Sequence, residues 1–359
     1  MNFYKSDCLF LKGDVPCNPH KQHGYHCGDC PVYTPISKRI LIIKLGAIGD
    51  VIRTTPLVRR YKSLYPGCKI TWVTMTPAIL PKSGIDEILK FDYASALYLQ
   101  HASFDIAINL DKEKEASALL LAVKATEKYG YVLKDNISQP VNVLAEHKYH
   151  TGLFDDVSKA NTLNYCQEIF QLCNMSYNGE PYLLDNHADK NFSWPDIDRN
   201  KTIIGLNTGC GDRWTTRLWP IGYFAELAQK LMADGHEVLL LGGEQEDARN
   251  REIQKLSGAR YLGYFPLPQF INLIDQCDLI VTQVTMGMHL TLGLQKKIVL
   301  MNNIFNPNEF DLFGKGEIVQ PDKECQCFYR GQCVTGESCM KDLPPGKVYD
   351  AVQRTLNIK

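Results

Sequence analysis

The stretch RILIIKLGAIGD, residues 39–50, limits what this chain can fold into more than any other part of it. Ile40, Leu41, Ile42 and Ile43 form an unbroken apolar run, the pattern of a short strand covered on both faces. The run gives way to a turn containing Gly46 and Gly49. A helical spacing of apolar residues then continues through Val51, Leu57, Val58 and Tyr61. Buried strand, glycine turn and helix make the unit of open parallel α/β sheets, whose turns lie at the carboxyl edge where such sheets bind ligands. Two small residues let a ligand approach the backbone, and the helix start offers unpaired N–H donors. Asp50 stands at that mouth, where its carboxylate has two readings: a base, or a cap for the helix.

The alternation repeats along the chain. Strand patterns occupy 69–74, 104–110 and 129–132, with a short segment at 85–91 leading to another, and 116–125 has a helical apolar face. Residues 134–165 are polar and aperiodic and read as a long loop, followed by a helix over 161–173 and a linker over 185–200. A second series starts at Lys201. Strands are expected at 202–206, 237–241, 278–282 and 297–301. Helices are expected after Pro220, at 270–277 and 287–294, and over 347–356. The fold class expected is therefore α/β: two tandem doubly wound, Rossmann-like domains facing a cleft. The divisions expected are a cysteine-rich extension over 1–36, a first domain over 37–185, a second over 186–346 and a closing helix over 347–359.

Several strand ends of the second series carry polar or glycine-rich loops at one edge. Residues 207–211 (NTGCG) supply backbone donors, and Arg217 precedes a helix start, where a planar guanidinium suits a phosphate. Glu244 and Glu246 follow the next strand, where an acidic residue can accept a ribose hydroxyl. Thr285, Gly287 and His289 open another helix. Such an edge suits a nucleotide diphosphate. Neither Gly-x4-Gly-Lys-Ser/Thr nor Gly-x-Gly-x2-Gly occurs, which argues against a nucleoside triphosphatase or a dinucleotide dehydrogenase.

The net charge is −1, so bulk charge points to no nucleic-acid partner. No signal-peptide pattern opens the chain, and no apolar run nears the roughly 20 residues that span a bilayer. A cytoplasmic protein is expected, with Arg53, Arg59, Arg60 and Lys62 either a solvated face or a contact for a membrane surface. The 13 cysteines fall largely into two groups. Cys8, Cys17, Cys27 and Cys30 sit among prolines and glycines in a segment with little to bury; a structural zinc would hold it, disulfides or free thiols being the alternatives. His20, His23 and His26 are substitute ligands. Cys325, Cys327, Cys333 and Cys339 have a less metal-like spacing and read as packing or redox-labile thiols at least as readily as zinc ligands.

The segment ILIIKLGAIGDVIRTTPLVRRYKSLYPGCKITWV resembles the opening of the heptosyltransferases, glycosyltransferase family 9. So do Arg217-Leu218-Trp219-Pro220, LLLGGEQED at 239–247, the turn ending in Met288-His289-Leu290, and the cysteine-containing tail. The resemblance implies a GT-B fold, with an acceptor domain first, a nucleotide-sugar domain second and a final helix crossing back. It implies inverting transfer of a heptose from ADP-heptose to a lipopolysaccharide core or other lipid-linked cell-envelope glycan. No catalytic metal is implied, and the basic residues Arg53, Arg59, Arg60 and Lys62 leave peripheral contact with the inner membrane face open. On the carry-over, Asp50 is the general base, in an acceptor-side loop with Gly46, Gly49 and Arg53. Arg217 meets the donor phosphates, Thr208 and Gly209 form the donor loop, Glu246 takes the ribose, and Thr285 with His289 the pyrophosphate or sugar. One departure stands out: where the family pattern is Asp-Thr-x-x-Met-His, this chain has Val284. A lost bond to a charged group costs about 1.5–3 kcal/mol. A scaffold that binds nucleotide sugar or glycan without turnover is therefore the competing reading, and a nucleotide-sugar epimerase a third.

Overall fold

In the computed structural model, which describes residues 4–186, 193–334 and 336–358, the apolar run becomes strand β1 (Arg39–Ile43), with Ile40 to Ile43 fully buried. It lies at the centre of a six-stranded sheet with β2 (Lys69–Thr74), β3 (Glu87–Lys90), β4 (Ser103–Asn109), β5 (Lys124–Lys134) and β6 (Ile137–Pro140), in the order β3-β2-β1-β4-β5-β6. Ile40 faces Ile70 on one side and Ile106 on the other. The chain leaves β1 in one direction and returns to its other side with β4, so the turn after β1 lies at a point where strand order reverses. Buried charge fixes that turn: Lys44 donates to the Gly46 carbonyl at 2.6 Å and to Asp111, whose other oxygen accepts from the Leu45 amide. Asp111 also closes the end of β4.

The second sheet repeats the plan with β7 (Ile203–Asn207), β8 (Glu237–Leu241), β9 (Arg260–Tyr261), β10 (Leu279–Gln283), β11 (Lys297–Met301) and β12 (Gly316–Val319), in the order β12-β11-β10-β7-β8-β9, all parallel. The helices are α1 (Asn18–His23), α2 (Ile48–Ile52), α3 (Pro56–Leu64), α4 (Tyr93–His101), α5 (Lys114–Ala122), α6 (Glu146–Thr151), α7 (Asp155–Ala160), α8 (Tyr165–Leu172), α9 (Ile221–Ala233), α10 (Asp247–Ser257), α11 (Leu267–Gln276), α12 (Met286–Gly293) and α13 (Pro345–Leu356). Contacts divide the chain into two units. The first comprises Met1–Gly46, Thr55–His147 and Ile169–Ser176; the second comprises Ala47–Thr54, Lys148–Glu168 and Tyr177–Lys359. Each has its own apolar core, Leu41, Val73, Leu99 and Leu120 in the first and Leu206, Trp219, Phe224 and Val281 in the second. Helix α13 packs into the second core through Val348, Ala351 and Val352.

Three sequence expectations change. Residues 134–165 are not an irregular loop: they hold the β5–β6 hairpin and the short helices α6 and α7. Asp135 (φ 52°) and Asn136 (φ 63°) supply the left-handed pair that a tight hairpin needs, which makes β6 the one antiparallel strand of its sheet. The helical spacing after Asp50 is two helices, because Pro56 stops the first and opens the second. Asp50 does not cap α2. The capping position is Ala47, and Asp50 lies inside the first turn. Of the linker expected over 185–200, residues 187–192 fall outside the described residues.

Gly130 gives a direct test of the first sheet. It pairs with Asn109 at φ +92°, and a Cβ there would lie 1.7 Å from the Asn109 carbonyl oxygen. The Asn109 side chain is itself locked, donating to the Tyr131 and Asp111 carbonyls at 2.8 and 2.9 Å. Gly130→Ala is expected to cost about 1–3 kcal/mol, read as a lower denaturant midpoint. An unchanged midpoint would mean that the strand ends shift without cost.

Candidate active site

In the second unit the reversal of strand order lies between β7 and β10, and their carboxyl ends carry the site. Asn207, the last residue of β7, donates from Nδ2 to the hydroxyls of Thr282 (2.9 Å) and Thr285 (3.2 Å). The Thr285 hydroxyl in turn accepts from the Gly287 amide at 3.1 Å and so caps α12. Gly287 must be small, since a Cβ would come within 2.9 Å of Asn207 Nδ2. This clamp holds one wall of a cavity of about 760 Å³.

A second wall is α2, which belongs to the same unit. Gly49 lies against the ring of His289, where a Cβ would be 2.4 Å from Cδ2. The contact brings Asp50 and Arg53 to the cavity. Asp50 pairs with Arg53 at 2.8 Å and keeps 37% of its side chain exposed. The opposite fork of Arg53 meets Glu309 at 2.7 Å, and its guanidinium lies 3.5 Å from the centre of the Tyr165 ring. His289 is only 7% exposed, and its Nδ1 is buried with no hydrogen-bond partner among the described residues. Burial first, then the neighbouring Arg53 charge, push its pKa down to about 3, against the opposing pull of Asp50 and Glu309, so the ring is neutral.

Arg217 ends a short 3-10 stretch (Asp212–Arg217) and is nearly buried. Its two forks donate to backbone carbonyls, those of Val284 and of Cys210 (3.3 Å), with the Trp214 and Phe305 rings 5.7 and 5.4 Å away. Burial lowers its pKa, partly offset by Cys210. Glu246 also reaches the cavity, but its oxygens take the amides of Gly243 (2.9 Å) and Gly211 (3.4 Å), bracing two glycine loops.

The model of Glycosyltransferase family 9 (heptosyltransferase) matches residues 95–326. This chain belongs to glycosyltransferase family 9. A curated relative, the lipopolysaccharide core heptosyltransferase OpsX of Haemophilus influenzae, is 27% identical over 111 residues, an alignment taking in 28% of this chain and 32% of that protein. Among solved structures, a family 9 glycosyl transferase of Veillonella parvula superposes with a TM-score of 0.68 at 17% identity, and the Escherichia coli heptosyltransferase WaaC with ADP at 0.58 and 16%. Each covers 89% of this chain and 98% of the other. The two-sheet α/β architecture is thus that of the family's GT-B fold.

Within this family 9 chain, eight of the ten residues to which the resemblance gives a role line one cavity: Gly49, Asp50, Arg53, Gly209, Arg217, Glu246, Thr285 and His289. Gly46 and Thr208 do not. Gly46 belongs to the first unit, and Thr208 is fully buried, its hydroxyl spent on Asn250. Val284 lines the cavity, while Gln283 beside it is fully buried and away from it. The sequence reading missed Glu309, Phe305 and Tyr329, although the first two follow the carboxyl end of β11 at the same edge. Cys8, Cys17, Cys27 and Cys30 line one small cavity of about 20 Å³. Among the described residues no group of three or more His, Cys, Asp or Glu is arranged to hold a metal ion. In the tail, the Cys327 and Cys333 sulfurs are 3.5 Å apart and Cys339 accepts from Asn303 at 3.2 Å.

His289 makes the site sensitive to acid. Its folded pKa lies below its unfolded value, so its contribution to stability is present above about pH 6.5 and falls as pH drops toward 3. A His289→Asn variant is expected to lose less stability than the parent between pH 7 and 4.5, measured by denaturant unfolding. Equal losses would mean that the ring protonates freely.

Proposed function

We propose that this family 9 glycosyltransferase works by inversion, moving a heptose from ADP-heptose to a hydroxyl of a lipopolysaccharide core or other lipid-linked envelope glycan. The observation that carries the reading is the shared cavity: a half-exposed carboxylate, Asp50, and a nearly buried cation, Arg217, line the same space. Inversion needs both. Asp50 takes the acceptor O–H proton as that oxygen bonds to the anomeric carbon, and the bond from that carbon to the diphosphate breaks on the opposite face. Arg217, held by carbonyls instead of a carboxylate, places its charge where negative charge develops on the leaving diphosphate. The α12 start, with Thr285 and neutral His289, faces the same space, and Gly209 lets the donor approach the backbone. Glu246, occupied by two amides, acts on the donor ribose by shaping the loops as well as by accepting a hydroxyl. The ADP in the WaaC structure supports an adenine nucleotide as the donor. No helix among the described residues is long and apolar enough to cross a membrane. A lipid-linked acceptor would be met at the inner membrane face.

Val284 favours the competing reading of a binding scaffold, because valine offers a sugar no hydrogen bond where the family has an acid. Calorimetry with a panel of nucleoside diphosphates separates the two. Selective ADP binding, with turnover of ADP-heptose that falls about 10²–10⁴-fold in Asp50→Ala while ADP binding is kept, is the expected result. Preference for another base keeps the fold and changes the donor; no nucleotide binding at all overturns the enzyme reading.

A structural zinc at Cys8, Cys17, Cys27 and Cys30 is supported by the one small cavity the four thiols share and opposed by their lack of convergence. Metal analysis of the purified chain decides it. One zinc per chain, lost in Cys27→Ser together with thermal stability, is the outcome expected of such a site; metal-free protein of full stability removes it.

A further inference from the structure

Arg53 is bracketed by two carboxylates. It sits at the C-terminal end of α2, three residues after Asp50, with Nη2 2.8 Å from Asp50 and Nη1 2.7 Å from Glu309. The face of its guanidinium is covered by Tyr165. Glu309 is equally enclosed, 16% exposed, and its second oxygen accepts from the Tyr329 hydroxyl at 2.5 Å. Burial alone would raise the Glu309 pKa; Arg53 and then Lys148 hold it below the usual carboxylate range. Arg53 is raised well above its ordinary value despite its burial, by Asp50, Tyr165 and Glu309. Three charges of alternating sign therefore stand in a row, and only the Asp50 end opens substantially to the cavity.

We propose that Arg53 and Glu309 form a positioning pair that fixes the orientation and sets the basicity of Asp50. The inference rests on Asp50 acting as the base. A guanidinium fork that shared its charge with Asp50 alone would hold that carboxylate in place and also weaken it as a base. Glu309 on the other fork removes that conflict: it draws part of the cation's charge away while its own hydrogen bonds, to Arg53 and Tyr329, keep the fork rigid. The other titratable and charged groups about the row, among the described residues, are Lys148, Tyr165, Cys166, Tyr182 and His289. Lys148 is paired with Glu168 at 2.6 Å, and Glu309 pulls the His289 pKa upward, so removing the Glu309 charge leaves that ring neutral.

The two members of the pair have opposite signatures. In Glu309→Gln, which retains an acceptor for Tyr329, the undivided Arg53 charge acts on Asp50, and the acid limb of the kcat/KM–pH profile moves down by about one unit. In Arg53→Gln the cation is gone, and the limb moves up by a similar amount while kcat falls roughly tenfold or more as the carboxylate loses its orientation. ADP binding stays near the parent value in both. Arg53→Lys keeps the charge without the fork and recovers the limb but not the full kcat. A merely structural pair would lower the yield or stability of folded protein without moving the limbs in opposite directions. Asp50→Asn is measured alongside. If it leaves turnover intact, the assignment of the base fails. If it abolishes turnover while neither partner variant moves the limb or kcat, the positioning role alone is overturned.

Discussion

The contact between Gly49 and His289 is the constraint on which the site depends. Helix α2 is only five residues long and could not hold Asp50 by its own stability. It is held because Gly49 has no Cβ where the imidazole lies, and because Gly293, at the other end of α12, packs against Leu184 and Ile52 with equally little room. Two small residues on facing helices let the backbones approach, and Asp50 and Arg53 are carried to the edge of the second sheet's cavity. The same contact encloses His289, whose neutrality follows from burial and from the Arg53 charge.

Charge in the cavity is distributed in two ways. Around α2 it is paired, with carboxylates on both sides of one guanidinium. Around Arg217 it is not: the partners there are carbonyl oxygens and aromatic faces, and Val284 contributes its backbone and no side-chain acceptor. A paired cluster holds geometry, while a cation whose partners among the described residues are dipoles attracts an anion. That contrast gives the cavity one side where the charges are paired, at α2, and one side with a cation held by carbonyls, at Arg217.

Much of this was legible in the sequence, element by element. The apolar runs at 40–43, 238–241 and 298–301 became strands, short runs covered on both faces of a parallel sheet. Thr285 became a cap because a hydroxyl there satisfies an orphaned amide. Less legible was anything decided by a partner distant in the chain. Glu309 lies 256 residues from Arg53, and no spacing rule connects them. Glu246 reads as a ribose acceptor until the amides of Gly211 and Gly243 are seen to occupy it. Thr208 and its neighbour Gly209 look alike as loop residues, yet one is buried against Asn250 and the other lines the cavity.

The sequence by itself determined the parallel α/β sheets, the loops at their carboxyl edges, the family and the presence of Asp50 and Arg217. The sheets and loops follow from local rules, namely apolar periodicity, the demands of a turn and the donors at a helix start; the family follows from the motifs that resemble it. Only the tertiary structure decided that α2 packs on α12, that Arg53 is shared between Asp50 and Glu309, and that His289 is dry and neutral. Those outcomes depend on close approach and desolvation between segments far apart in the chain, quantities that no local pattern encodes.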